Sequence, residues 1–174
     1  MDGKKLSRFS AWSAFIMALM LVLNGITTFL HAPWIFWLSR IGLVLAGFGM
    51  LPAVWYQVRG YAPGWATWLT AISYLGLAAE ALLYIGQVEI QTTWLLFGGL
   101  GSWAIGMNLI SLLKKQWPLW LCVLGVVGGL LLIAAAIANS IVPGSWVNTL
   151  SAGLGAVVIY PAWLIWNGTR LLRD

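Results

Sequence analysis

Two charged side chains in this sequence stand inside long apolar runs, Arg40 and Glu80. A lone charge in hydrocarbon is expensive, so residues of this kind pair with each other, line a polar cavity, or relay protons and ions. Arg40 lies six residues after Trp34, where its run begins, and Glu80 lies six before Gly86, where its own run ends. If the two runs are antiparallel helices, a rise of about 1.5 Å per residue puts both charges about 9 Å below one boundary. Asn24, six residues before Leu30 at the end of the preceding run, shares that depth. Three consecutive helices thus carry an amide, a guanidinium and a carboxylate to one layer. Two readings of the layer stay open: a buried ion pair that fixes helix register, and a ligand or proton site. Ser73 and Gly76 precede Glu80 by seven and four positions, so they share its helical face as a pocket wall or as a packing seam. Trp103 and Tyr74 are the deep aromatics, and the Trp103 indole N–H needs an acceptor from another helix or a ligand.

The rest of the inventory excludes most chemistry. There is one histidine, His31, at the end of a run, and one cysteine, Cys122, inside another. Haem, di-iron and zinc centres need more ligands than these supply. No lysine lies within a run to form a Schiff base, and the aspartates are terminal, Asp2 and Asp174. No catalytic residue, metal site or cofactor is expected, and the chain reads as a non-enzyme. Gly98-Gly99-Leu100-Gly101 has the look of a phosphate loop but lacks the lysine and the strand.

The elements that must position these residues follow from composition. Of 174 residues, 61% are hydrophobic and 7% charged, and the mean hydropathy is +0.92. Soluble chains carry about 25% charged residues. Six apolar runs, Phe9 to Leu30, Trp34 to Val58, Gly64 to Gly86, Thr92 to Leu113, Pro118 to Ile141 and Val147 to Leu171, each reach the roughly 20 residues that cross a bilayer as a helix. They lack the alternation of barrel strands, and backbone in hydrocarbon must satisfy itself internally. The fold class expected is an all-α integral membrane protein, residues 1–174 forming a single bundle of six transmembrane helices. The connections are a few residues long, too short for a folded domain, and make successive helices antiparallel neighbours.

Eight of the nine basic residues (Lys4, Lys5, Arg8, Arg59, Lys114, Lys115, Arg170 and Arg173) fall at one side of this pattern, and Arg40 is the exception. Basic residues in short loops stay cytoplasmic, so N and C termini are both expected inside, in a bacterial-type cytoplasmic membrane. The first run is longer than a signal-peptide core and has no small-residue cleavage site, so no cleaved signal peptide is expected. The net charge of +5 follows from this asymmetry, and no nucleic-acid partner is implied.

Small residues recur at four-residue spacing, among them Ser10, Ala14 and Ala18, then Gly98, Ser102 and Gly106, then Gly125 and Gly129. Such stripes let helices approach closely where lipid removes the hydrophobic drive. Twelve of the thirteen tryptophans, Trp163 included, fall towards span ends as interfacial belts, leaving only Trp103 at mid-depth. Pro52 and Pro161 are expected to kink the second and sixth helices.

Size, helix number and the stretch Ala14-Phe15-Ile16-Met17-Ala18 resemble the substrate-binding subunits of energy-coupling-factor vitamin transporters. The likeness covers size, topology and this one pattern, and it assigns no family. The function expected first is an accessory, assembly or interaction subunit, contacting lipid, other membrane proteins or a second copy of itself. The alternative is a solute- or lipophile-binding protein or transporter component, with a small lipophilic ligand at Asn24, Arg40 and Glu80.

Overall fold

The computed structural model describes residues 3–30, 33–85 and 93–173, so the connections carrying His31 and Glu89 and the terminal Asp2 and Asp174 lie outside it. Helices α1 (Gly3–Leu30), α2 (Pro33–Val58), α3 (Pro63–Ile85), α4 (Thr93–Leu113) and α5 (Leu119–Ile141) are followed by α6, which runs from Trp146 to Arg173. All six are long and apolar enough to cross a membrane. Their ends match their sequence. Pro33 and Pro63 open α2 and α3, where a missing N–H costs nothing. Ser145 caps α6 by accepting from the Asn148 N–H at 3.2 Å. Gly144 makes the turn before it at φ +76°, a conformation that glycine adopts without a Cβ clash.

Each helix packs on the next in chain order and α6 returns to α1, so the bundle closes on itself around one buried cluster drawn from all six helices. Every helix also presents large apolar side chains outward, such as Leu19, Leu45, Leu75, Leu113, Leu130 and Leu154. In lipid these need no cover. Eight tryptophans are exposed as belts require (Trp12, Trp34, Trp37, Trp65, Trp68, Trp120, Trp146 and Trp166), whereas Trp163 and Trp117 are buried, against the sequence expectation.

Small residues let the helices touch, but not all in the expected register. Ser10 donates to the Gly49 carbonyl at 2.8 Å, joining α1 to α2. Gly101 and Gly129 face each other between α4 and α5, where a Cβ on either would lie 2.7 Å from the other's carbonyl oxygen. Ser102, expected in the α4 seam, is exposed. Glycine or serine at 98, 99, 101 and 102 gives every α4 register a small residue, so the stripe alone selects no face.

The two prolines behave differently. Helix α2 runs through Pro52 without interruption. Pro161 is preceded by a π-helical turn, Gly153–Ile159, after which the Tyr160 N–H reaches back to the Gly155 carbonyl. Proline has no N–H to give and crowds the preceding turn, and one widened turn absorbs both defects.

The seam generates a prediction. Gly101→Ala puts a methyl against fixed backbone and is expected to lower stability in detergent by about 1–3 kcal/mol, whereas Ser102→Leu, pointing outward, changes it by less than about 0.5 kcal/mol. Thermal melts of the two purified variants check this, and a reversed order would place the wrong face of α4 against α5.

Candidate functional site

Arg40 on α2 and Glu80 on α3 meet. The Arg40 Nε donates to Glu80 Oε1 at 2.9 Å, and Nη2 lies 2.6 Å from the same oxygen. Glu80 is wholly buried and Arg40 is 9% exposed. Both contacts fall on one carboxylate oxygen, and the other, Oε2, is buried with no hydrogen-bond partner. An ionised or neutral carboxyl carries several acceptor positions, so leaving one oxygen without a partner costs on the order of 1–3 kcal/mol. Asn24 on α1 donates from Nδ2 to the hydroxyl of Ser39, the neighbour of Arg40 along α2, at 3.2 Å. The layer therefore comprises Asn24, Ser39, Arg40 and Glu80.

The other three residues singled out from sequence lie further along the bundle. The Ser73 hydroxyl is shared between the carbonyls of Leu69 and Gly99, each at 3.0 Å, and ties α3 to α4. A Cβ on Gly99 would lie only 3.8 Å from the Cα atoms of Ser73 and Gly76, so this face is a packing seam. Ser73 is also seven residues, about 10 Å of helix, from Glu80. Tyr74 donates to the Phe48 carbonyl at 3.0 Å and stacks on the Phe48 ring with centroids 5.3 Å apart. Trp103 finds its acceptor in the protein, the Thr70 hydroxyl at 3.3 Å.

A second polar cluster escapes the sequence reading. The Trp163 indole on α6 donates to Asn108 Oδ1 on α4 at 3.1 Å, and Asn108 Nδ2 donates to the Ala104 carbonyl at 2.7 Å. Trp163 packs edge-on against Trp103 and tilted against Tyr160. Gly125 makes room for the Asn108 amide, and Gly128 for Tyr160. Tyr160 and Asn167 are wholly buried on the inward face of α6, and neither the Tyr160 hydroxyl nor the Asn167 amide has a partner. The signal was present as two further intramembrane amides, Asn108 and Asn167, whose depths can be counted as for Asn24.

At the end of the bundle where both termini lie, the Tyr61 and Ser111 hydroxyls share a hydrogen bond of 2.8 Å. Burial, partly offset by that bond and by the charge of Arg170, raises the Tyr61 phenol above its ordinary value, so it stays protonated. Among the described residues no three His, Cys, Asp or Glu side chains group as metal ligands. What the two clusters offer is hydrogen bonding and charge pairing between helices. Family models, curated proteins and solved structures alike give no match to this chain.

If the pair is closed as described, Arg40→Gln and Glu80→Gln each strand a buried charge and are expected to cost about 3–5 kcal/mol. The double variant is expected to recover much of that loss, since two amides can bond where two charges did. A chemical-denaturation cycle in detergent measures the coupling, and strictly additive losses would mean that the side chains do not interact.

Proposed function

We propose that this chain is a non-enzymatic multi-pass membrane protein that binds a small solute or lipophile at the Asn24, Arg40 and Glu80 layer, as a binding protein or transporter component. The observation that carries this reading is Glu80 Oε2, a buried carboxylate oxygen without a hydrogen-bond partner among the described residues, while Arg40 Nε and Nη2 both approach Oε1. A register-fixing pair is best served by two parallel bonds to both oxygens. An open oxygen suits a hydrogen-bond donor brought by a ligand.

One observation favours a second reading, the accessory or interaction subunit. Between α3, α4 and α5 an apolar groove of about 520 Å³ opens outward over Gly76, Gly98, Gly99 and Ser102, with Ile72 and Leu75 as walls. A floor of small residues is what a partner helix needs for close approach. The orientation proposed places both termini in the cytoplasm of a bacterial-type membrane, supported by the eight basic residues at one end.

Native mass spectrometry of gently solubilised protein tests the first reading: wild type is expected to carry a stoichiometric small molecule, and the Arg40→Gln/Glu80→Gln variant to fold without it. A co-purifying protein subunit with no small molecule would favour the second. For orientation, in a Cys122→Ser background, Lys114→Cys is expected to label only from the cytoplasmic face and Pro143→Cys only from the other. Exchange of these two results would overturn the proposed topology.

A further inference from the structure

The end of the bundle where the termini lie is an assembly of positive charge and hydrogen-bond donors. Lys4, Lys5 and Arg8 begin α1, Arg59 follows α2, Lys114 and Lys115 follow α4, and Arg170 and Arg173 close α6. Glu80, in the other half of the bundle, is the one acid among the described residues, so no described carboxylate stands at this end. The two terminal aspartates, Asp2 and Asp174, lie outside the described residues.

Within this basic rim is a cavity of about 310 Å³ lined by Gln57, Tyr61, Gln116, Trp117, Pro118 and Arg170. Arg170 is held in place there. It donates from Nη2 to Gln57 Oε1, and its guanidinium lies 4.5 Å from the centre of the Trp117 ring. Stacking and a side-chain amide fix the plane of the guanidinium, whose fork of five N–H groups matches the oxygens of a phosphate. Gln116 is turned back by a bond from Nε2 to the Lys114 carbonyl at 3.3 Å, and Tyr61 is the protonated hydroxyl described above. Among the described residues the lining offers donors, an aromatic face and positive charge, and no carboxylate.

We infer that this cavity is a binding site for a phosphate-bearing anion, with Arg170 as its anchor and the surrounding lysines and arginines supplying the long-range attraction. Basic pockets between helices at this kind of boundary receive the headgroups of anionic lipids. A soluble phosphate compound offers the same oxygens. The inference is independent of the Arg40–Glu80 layer.

The test is native mass spectrometry of the full chain in detergent, titrated with phosphatidylglycerol, phosphatidylcholine and inorganic phosphate. Wild type is expected to retain one phosphatidylglycerol about tenfold more strongly than phosphatidylcholine, and Arg170→Gln to lose about fivefold to tenfold of that retention. Because Arg170 also braces Gln57 and Trp117, Gln116→Glu is the companion variant. Gln116 is exposed, so its replacement spares the fold while setting a carboxylate in the cavity. It is expected to weaken retention to a similar degree, whereas Lys4→Gln with Lys5→Gln, which removes rim charge but no residue of the cavity lining, costs no more than about threefold. Phosphatidylglycerol that resists millimolar phosphate identifies a lipid headgroup as the ligand, and displacement with uptake of phosphate identifies a soluble anion. Equal retention of the two lipids without phosphate uptake would overturn the inference. So would retention that Gln116→Glu leaves unchanged, or that falls equally with Lys4 and Lys5.

Discussion

A charged group with no water beside it must find its counter-charge within the protein, and Arg40 and Glu80 carry that constraint at its most severe. Their contact joins α2 to α3 at one depth. Along the same seam Tyr74 reaches the Phe48 carbonyl and Gly47 faces Leu77. Asn24 and Ser39 extend the same layer to α1. Breaking the pair would therefore disturb three helices.

The far half of the bundle meets the constraint by other means. There the buried polar side chains are neutral, and tryptophan N–H groups are satisfied across helices by Thr70 and Asn108. Side chains this large fit because backbone elsewhere comes close: Gly101 against Gly129 brings α4 onto α5, and Gly125 and Gly128 leave space for Asn108 and Tyr160. In lipid, where burial of apolar surface gains nothing between helices, such close approach and cross-helix bonds are the main source of cohesion. The unpartnered Tyr160 hydroxyl and Asn167 amide stand out against it.

Helix number, order and approximate ends are legible in the sequence because hydrophobic length and turn residues set them, and the observed ends mostly differ from the expected spans by a residue or two. Helix α1 is the exception, extending back to Gly3 through its basic residues. Depth is legible too, as the meeting of Arg40 with Glu80 illustrates. Rotation about the helix axis is not. Trp163 stands at a depth suited to a lipid-facing belt, and only the opposing Asn108 distinguishes a buried indole from a belt one. Ser102 and Gly101 are adjacent small residues, and the partner helix alone decides which faces inward. The π-helical turn ahead of Pro161 is likewise a tertiary outcome, since Pro52 in α2 produces none.

The buried ion pair is the point on which register, layer and proposed site all depend, and its geometry can be measured in a bilayer. The chain has two glutamates, so a Glu89→Gln background leaves Glu80 as the single source of a glutamate carboxylate signal. With ¹³C in that carboxylate and ¹⁵N in the arginine guanidinium groups, solid-state dipolar recoupling reads their separation directly. The contact of 2.6 Å between Arg40 Nη2 and Glu80 Oε1 predicts strong dephasing at a nitrogen-to-carbon distance of about 3–4 Å, abolished by Arg40→Gln. A flat dephasing curve in the Glu89→Gln protein would contradict the pair, and with it the alignment of α2 and α3.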